Sequence, residues 1–274
     1  DPAEYHHQRV HCDLTGPITP KSLNGGVYVL TVIDAFTRWT HAVVIPNKSA
    51  PVVAEAFKHY LSSTSSFGAP KAVRTDPGSE FISADFEQVL RDNSIAHQLT
   101  PPKSPAFNGI VERVQGTIWN KAKAFLRDTG LPEAQRNRLW EYAYRHATFC
   151  YNRTWHSAIK TTPFAMVNGV NPDLSNLHPF GAIAFVREET DTAGKLTDVA
   201  WRGIYVGSGP LSSSFLIHNP DTERVVHSRN VSFRDGERWH SSTPNDDVIT
   251  DITVGCNEGG DDRADNANSD VVPD

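Results

Sequence analysis

Asp13, Asp76 and Glu112 are the residues whose type and setting are best suited to chemistry. Asp13 falls in a strand-like segment, Asp76 directly follows the short apolar run from Ala72 to Thr75, and Glu112 opens a long helical stretch. If the first and fourth strands pair in parallel, both aspartates reach one sheet edge, and a helix crossing nearby adds the glutamate. Three carboxylates there can hold two divalent cations. That arrangement suits phosphoryl transfer, one cation serving the attacking oxygen and the other the leaving oxygen. All-oxygen ligation favours Mg2+, with Mn2+ as a substitute. Taken singly, each acid reads more readily as a solvated surface carboxylate. The 35 residues between Asp76 and Glu112 decide nothing, because with 20 Asp and 12 Glu in the chain a chance pair occurs at almost any separation.

The elements that must position these acids are legible in the hydrophobic periodicity. Residues 9–14 begin a strand, with Gly16-Pro17 and Asn24-Gly25-Gly26 punctuating the loop after it. Val27 to Ile33 and Trp39 to Ile45 form a hairpin across the turn from Asp34 to Arg38, and Val52 to Leu61 has helical apolar spacing. The strand Ala72 to Thr75, a helix from Ser83 to Asn93 and the strand Ile95 to Gln98 follow. Three prolines and a glycine between Thr100 and Gly109 predict an irregular loop beside the acids. A helix is predicted from Ile110 to Arg127, its stripe formed by Val111, Val114, Ile118, Ala122 and Phe125, and another from Glu133 to Tyr151. Beyond Pro179 the pattern changes to short strands, Ala182–Phe185, Trp201–Val206, Phe215–His218 and Val225–Val231, which predict a small β-barrel.

Charge qualifies the reading without deciding it. The formal net charge is -6, but nine acids and one base between Pro244 and Asp274 contribute -8, which leaves +2 for the rest. The folded part can therefore meet phosphates, and the polar, acidic end is predicted to be disordered. No apolar run approaches the roughly 20 residues of a membrane span, and the first residues lack the pattern of a signal peptide. An intracellular protein without a membrane partner is expected. Cys12, Cys150 and Cys256 are odd in number and far apart, which predicts neither a disulfide framework nor a Cys-x-x-Cys zinc site.

Several motifs, in one order along residues 9 to 235, resemble the integrase of copia-type retrotransposons, a member of the DDE integrase and transposase superfamily. They are His11-Cys12-Asp13-Leu14-Thr15-Gly16-Pro17, Ile33-Asp34-Ala35-Phe36-Thr37-Arg38, Arg74-Thr75-Asp76-Pro77-Gly78-Ser79-Glu80-Phe81 and Asn108-Gly109-Ile110-Val111-Glu112-Arg113. Tyr151-Asn152-Arg153, Thr162-Pro163, Phe180-Gly181 and the segment from Val225 to Val231 continue the likeness. Pro77-Gly78-Ser79 replaces the usual Asn-Gly-Gly, and Ala106-Phe107 stands where two glutamines are usual. Neither departure removes one of the three acids.

The resemblance implies an α/β chain: a ribonuclease H-like mixed sheet flanked by helices, then a small SH3-like β-barrel module and a disordered acidic tail. The corresponding boundaries are an N-terminal extension over residues 1–8, a catalytic core over 9–172, a β-rich module over 173–240 and a tail over 241–274. It further implies that Asp13, Asp76 and Glu112 are catalytic and hold two Mg2+ or Mn2+ ions. The implied reaction is magnesium-dependent strand transfer by a polynucleotidyl transferase, with endonucleolytic trimming of the DNA ends as an associated activity. Partners would be the element's DNA ends, target DNA and further copies of the chain, and the nucleus would be the place of integration. Asp34 reads better as a turn acceptor of backbone or Arg38 hydrogen bonds than as a fourth ligand.

On a helical wheel Glu112, Gly116, Trp119 and Lys123 share a strip that is able to face DNA, although Trp119 fits partial burial equally well. Lys103, Asn108 and Arg113 are further candidate DNA contacts. His6, His7 and His11 invite a zinc reading, but without accompanying cysteines no zinc is expected in this chain, and the family's upstream zinc-binding module is expected to be absent. The alternative to an active enzyme is a silent integrase-derived protein that binds nucleic acid or docks through its β-module and acidic tail.

Overall fold

A computed structural model describes residues 2–101, 105–187, 200–209 and 214–240, with the backbone alone described for 105–108. Strands β1 (Val10–Thr15), β2 (Tyr28–Asp34) and β3 (Thr40–Ile45) form an antiparallel meander. Helix α1 (Ala50–Ser63) leads to β4 (Ala72–Thr75), and α2 (Ala84–Asp92) leads to β5 (Ala96–Leu99). β4 joins β1 in parallel, with Val10 opposite Val73 and His11 opposite Arg74, and β5 extends the parallel half. The resulting order, β3-β2-β1-β4-β5, is a mixed sheet in which the predicted parallel pairing of the first and fourth strands is present.

Alternation along β1 gives the sheet two unlike faces. Val10 and Cys12 join Leu30, Val32, Phe57, Phe81, Phe86 and Leu90 in a dry core beneath α1 and α2. His11 and Asp13 take the opposite face, because successive strand side chains point to opposite sides. There α3 (Pro105–Asp128) and α5 (Trp140–Arg153) cover the sheet, with Val111, Val114, Ile118 and Ala122 of α3 buried.

Two expectations are corrected by the packing. The irregular loop is shorter than predicted, because α3 already begins at Pro105; proline at a first helical position forfeits no intrahelical hydrogen bond. The single helix from Glu133 to Tyr151 is two, α4 (Glu133–Arg138) and α5, broken at buried Leu139. The carbonyl exposed by that break, Arg138 O, accepts from Leu23 N at 2.9 Å, so the loop after β1 satisfies it. A short α6 (Pro163–Asn168), capped by Thr162 Oγ1 accepting from Ala165 N, accounts for the Thr162-Pro163 pair.

The β-rich part contains β6 (Ile183–Arg187), β7 (Ala200–Ser208), β8 (Phe215–Asn219), β9 (Arg224–Ser228) and β10 (Val231–Arg234). All pairings are antiparallel, in the order β10-β6-β7-β8-β9. The predicted last strand, Val225 to Val231, therefore divides. Its first half pairs with β8, and after the turn at Arg229-Asn230 the chain returns to pair with β6. This SH3-like sheet packs on the helical side of the first. His146 of α5 meets Tyr205 edge-on at 5.6 Å, and Phe125 of α3 stacks on Phe180 at 5.8 Å. Gly130 is required at this junction: its φ is +75°, and a Cβ there would lie 2.0 Å from the Trp239 carbonyl oxygen. The acidic tail, residues 241–274, lies outside the described residues.

Candidate active site

Parallel pairing does the first part of the positioning. His11 and Arg74 are register partners, and Asp13 and Asp76 each stand two residues further on, so the two acids leave the sheet at the same end. The end of β4 is clamped beneath Asp76. Thr75 Oγ1 donates to the Asp76 carbonyl at 2.8 Å and lies 2.9 Å from His97 Nε2, whose Nδ1 is 2.6 Å from Glu87 Oε1. Thr100 caps the same strand, donating to Thr75 O from both its amide and its hydroxyl.

After Asp76 the chain turns through Pro77-Gly78, with Gly78 N donating to Asp76 Oδ1 at 3.2 Å. A Cβ on Gly78 would lie 3.0 Å from that same oxygen, so this glycine leaves room for the carboxylate. The replacement of the usual Asn by Pro77 leaves this contact in place.

Asp13 occupies a polar recess among less polar groups. Its register partner on β2 is Thr31, whose hydroxyl is 3.2 Å from Tyr144 Oη of α5. Burial pushes the Asp13 carboxyl above the usual range, and the fields of Asp76 and Glu112 push it the same way; the Leu14 amide and the Gln115 side chain pull it down. Asp13 acts in turn on a neighbour: Tyr144 is raised to about 12, first by burial and then by Asp13. Gln115 and Tyr144 escaped the sequence reading. Gln115 had a usable signal, since it stands three residues after Glu112 and so shares its side of the helix.

Glu112 is exposed on α3 and acts on Asp13 through its field. Among the described residues, no three His, Cys, Asp or Glu side chains form a closed metal-ligand group. The donor chemistry nevertheless fits a hard divalent cation. The three acids supply oxygens only, and the half-buried Asp13 carries a charge that burial and like charges both disfavour, which a cation would relieve.

The remaining sequence candidates divide clearly. Asp34 is a structural acceptor: Oδ1 takes Thr37 N and Thr37 Oγ1, both at 2.7 Å, and Phe36 N at 3.2 Å, while Oδ2 takes His7 N at 2.8 Å. Arg38 contributes its amide to Asp34 O instead of its guanidinium to the carboxylate. Of the two readings left open for Trp119, the structure has partial burial at the α3–α5 contact, its ring 4.6 Å from Tyr144 and 5.9 Å from Trp140, because α5 offers aromatic partners there. Lys123 and Arg113 are exposed on α3. Lys103 and the Asn108 side chain lie outside the described residues. The later motif is structural, since Asn152 exchanges hydrogen bonds of 2.9 and 2.8 Å with the Thr40 backbone, and Arg153 lies over the rings of Phe149 and Phe164.

A five-stranded mixed sheet of this order, with acids at the end of its central parallel pair, defines a ribonuclease H-like domain. Comparison carries the assignment to the family level: the chain bears an integrase core domain, matched over residues 4–105, and a retroviral polymerase SH3-like domain, matched over residues 182–247. The first match ends before Glu112.

Its curated homologues include retrotransposon Pol polyproteins of the copia type. The Retrovirus-related Pol polyprotein from transposon TNT 1-94 of Nicotiana tabacum is 29% identical over 231 residues, covering 83% of this chain and 17% of that protein. The one from transposon RE1 of Arabidopsis thaliana is 25% identical over 209 residues, covering 75% of this chain and 14% of that protein. The chain thus spans a small part of each relative's length. A solved structure of the catalytic core domain of BIV integrase aligns with a TM-score of 0.46 at 18% identity, over 58% of this chain and 93% of that one. No helix among the described residues is long and apolar enough to cross a membrane.

Proposed function

We propose that this chain is a retrotransposon integrase core that performs metal-dependent DNA strand transfer, with Asp13, Asp76 and Glu112 as its catalytic residues. The observation that carries the reading is the delivery of Asp13 and Asp76 to one end of a parallel strand pair, with the fields of Asp76 and Glu112 both acting on the half-buried Asp13 carboxyl. The three carboxylates would hold two Mg2+ or Mn2+ ions. When bound, these supply charge neutralisation and Lewis acidity to the attacking and leaving oxygens.

In the transfer, a DNA 3′-hydroxyl oxygen attacks a target phosphorus in line. One phosphorus–oxygen bond forms and one to the target's 3′ oxygen breaks, while the attacking hydroxyl gives up its proton and the departing oxygen takes one. No external energy source is needed, since one phosphodiester replaces another. The protein's own part is positional. Thr75, Thr100 and His97 fix the strand end carrying Asp76, and the Gln115 and Tyr144 side chains border Asp13. Arg113 and Lys123, exposed on the same helix as Glu112, are proposed phosphate contacts, and further copies of the chain would bridge the two DNA ends.

A second reading, a silent integrase-derived nucleic-acid binder, draws support from the exposed Glu112 and from the absence of a closed ligand group among the described residues. Joining of a labelled DNA duplex to plasmid separates the two. Metal-dependent products from the intact chain, abolished in an Asp76→Asn, Glu112→Gln double variant, support the enzyme. DNA binding without products in either Mg2+ or Mn2+ overturns it in favour of the silent binder.

A further inference from the structure

One pleat away from the acids, on the same face of the sheet, lies a second cluster that the catalytic reading does not use. Arg9 and His11 of the β1 segment, Arg74 of β4 and Arg38 of the β2–β3 turn line a cavity of about 430 Å³, with Ile159 and Met166 on its apolar side. Three guanidinium groups therefore share one recess.

Two polar atoms of the cluster are buried with no hydrogen-bond partner among the described residues, His11 Nδ1 and Arg38 Nη1. His11 is only 2% exposed, so its unpartnered nitrogen is a directed polar group and not a solvated one. A recess with this donor set, no acceptor of its own for these atoms and an apolar wall is suited to an anion carrying an attached organic group. Its volume falls in the range of pockets that take a ligand of nucleotide size, which is more than a bare phosphate requires.

We infer that this arginine-lined recess binds a backbone phosphate, with its sugar, of the nucleic-acid strand that passes the three acids. Arg9 and His11 precede Asp13 on the same strand face, His11 by two residues or about 6.6 Å of strand and Arg9 by four or about 13 Å, so the recess runs from beside the acids back along β1 and its phosphate belongs to the strand flanking the reacting phosphodiester. The donors are the guanidinium groups and the His11 imidazole, and Ile159 and Met166 flank the sugar. That the bound strand is a DNA substrate rests on the integrase reading; that the recess takes a strand phosphate does not require joining to occur.

The test measures binding to the full chain in chelator, where no joining is possible. The probe is a dye-labelled oligothymidylate five nucleotides long, followed by polarisation across a salt series, with inorganic pyrophosphate as competitor. Arg38→Gln and Arg74→Gln are each expected to weaken the oligomer roughly tenfold, as for loss of a charge-assisted hydrogen bond, and to lower the salt slope by about 0.7 per lost phosphate contact. Arg38→Lys, which keeps the charge, should restore most of the slope. Thermal melts establish that each variant is folded.

Unchanged oligomer affinity and slope in both folded glutamine variants overturns the inference. So does a result in which pyrophosphate binding depends on the arginines and oligomer binding does not, since the site would then serve a free phosphate. Arginine-dependent oligomer binding by a chain that never joins DNA leaves the inference standing and removes only the catalytic reading.

Discussion

The two faces of β1 are built from alternate residues of one strand, yet they obey different rules. Val10 and Cys12 enter a core in which Phe57 and Phe86 are fully buried, 5.1 Å apart, and no charge intervenes. Arg9 and His11 line the arginine recess and Asp13 stands one pleat further along the same face, so cations, a neutral imidazole and a destabilised carboxylate follow one another there. The strand's period of two thus separates stability from chemistry at a distance of one residue. The dry face tolerates the strained polar one because it supplies the packing that holds β1 and β4 in register.

The sharpest way to test that division is to neutralise the acid on the polar face. Asp13→Asn should abolish strand transfer, a fall of about 10³-fold or more, as expected for loss of a metal ligand worth several kcal/mol in the transition state. Stability should move the other way. Because the folded Asp13 pKa is raised, its ionised form costs stability above that pKa, and the cost disappears as pH falls through the folded value towards the ordinary one. Urea midpoints of the variant should therefore exceed those of the parent at neutral pH, and the gap should close in acid. A variant less stable than the parent at neutral pH would place Asp13 in the structural class.

The dry face should answer in the opposite sense. Phe86→Ala removes a fully buried ring that touches Phe57, Phe81 and His97, and a loss of roughly 3–5 kcal/mol in unfolding free energy is expected. Provided the protein is assayed well below its melting point, metal dependence of joining should be retained. Loss of metal dependence with little change in stability would show that the two faces are not separable.

How much of this was legible beforehand follows the same division. The dry face writes itself into the sequence: Val10, Cys12, Leu30 and Val32 alternate, Val53, Phe57 and Tyr60 recur at helical spacing, and the strands and helices they define were found within a few residues. The acids were legible through their motifs and through the parallel pairing that such a topology demands. The recess was not, because Arg9, Arg38 and Arg74 come from three segments brought together only in the fold, and charged residues carry no periodic signal. The helical wheel leaves Trp119 open between an outer strip and partial burial for a related reason. A helical wheel ranks positions by angle, whereas the partners that bury its ring, Trp140 and Tyr144, belong to another helix. The break at Leu139 was equally hidden, since it depends on a loop amide from Leu23.

Histidines sharpen the comparison through pH. His11 on the polar face and His146 between the two sheets are both pushed down to about 4, His11 by burial and surrounding arginines, His146 by burial. Each is neutral when folded and protonates near 6.5 when unfolded. Stability is therefore complete above that value and declines as pH falls from about 6.5 towards 4, by roughly 3 kcal/mol for one such buried group. His146→Leu should flatten this acid limb in urea titrations by about one proton's worth, leaving the contributions of His11, His41 and His218, which burial likewise pushes down to about 4. An unchanged slope would mean that His146 is protonated inside the fold.

The smallest effect belongs to the seam between the integrase core and the SH3-like sheet. Arg238 donates to Asp128 Oδ2 at 2.7 and 2.9 Å, but the Asp128 side chain is 59% exposed, so solvent and salt screen the pair. Arg238→Ala is expected to cost less than about 1 kcal/mol and to lose even that at high salt. Gly130→Ala, by contrast, drives a methyl into the Trp239 backbone and strains a positive φ, so the same seam should open with a much larger loss. If the ranking of the two variants is reversed in thermal melts, charge and not backbone fit holds the SH3-like sheet in place. If it holds, the polar residues that decorate the seam are dispensable, as the arginines of the recess should be for folding, and the conformational demand of one glycine sets where the second sheet can dock.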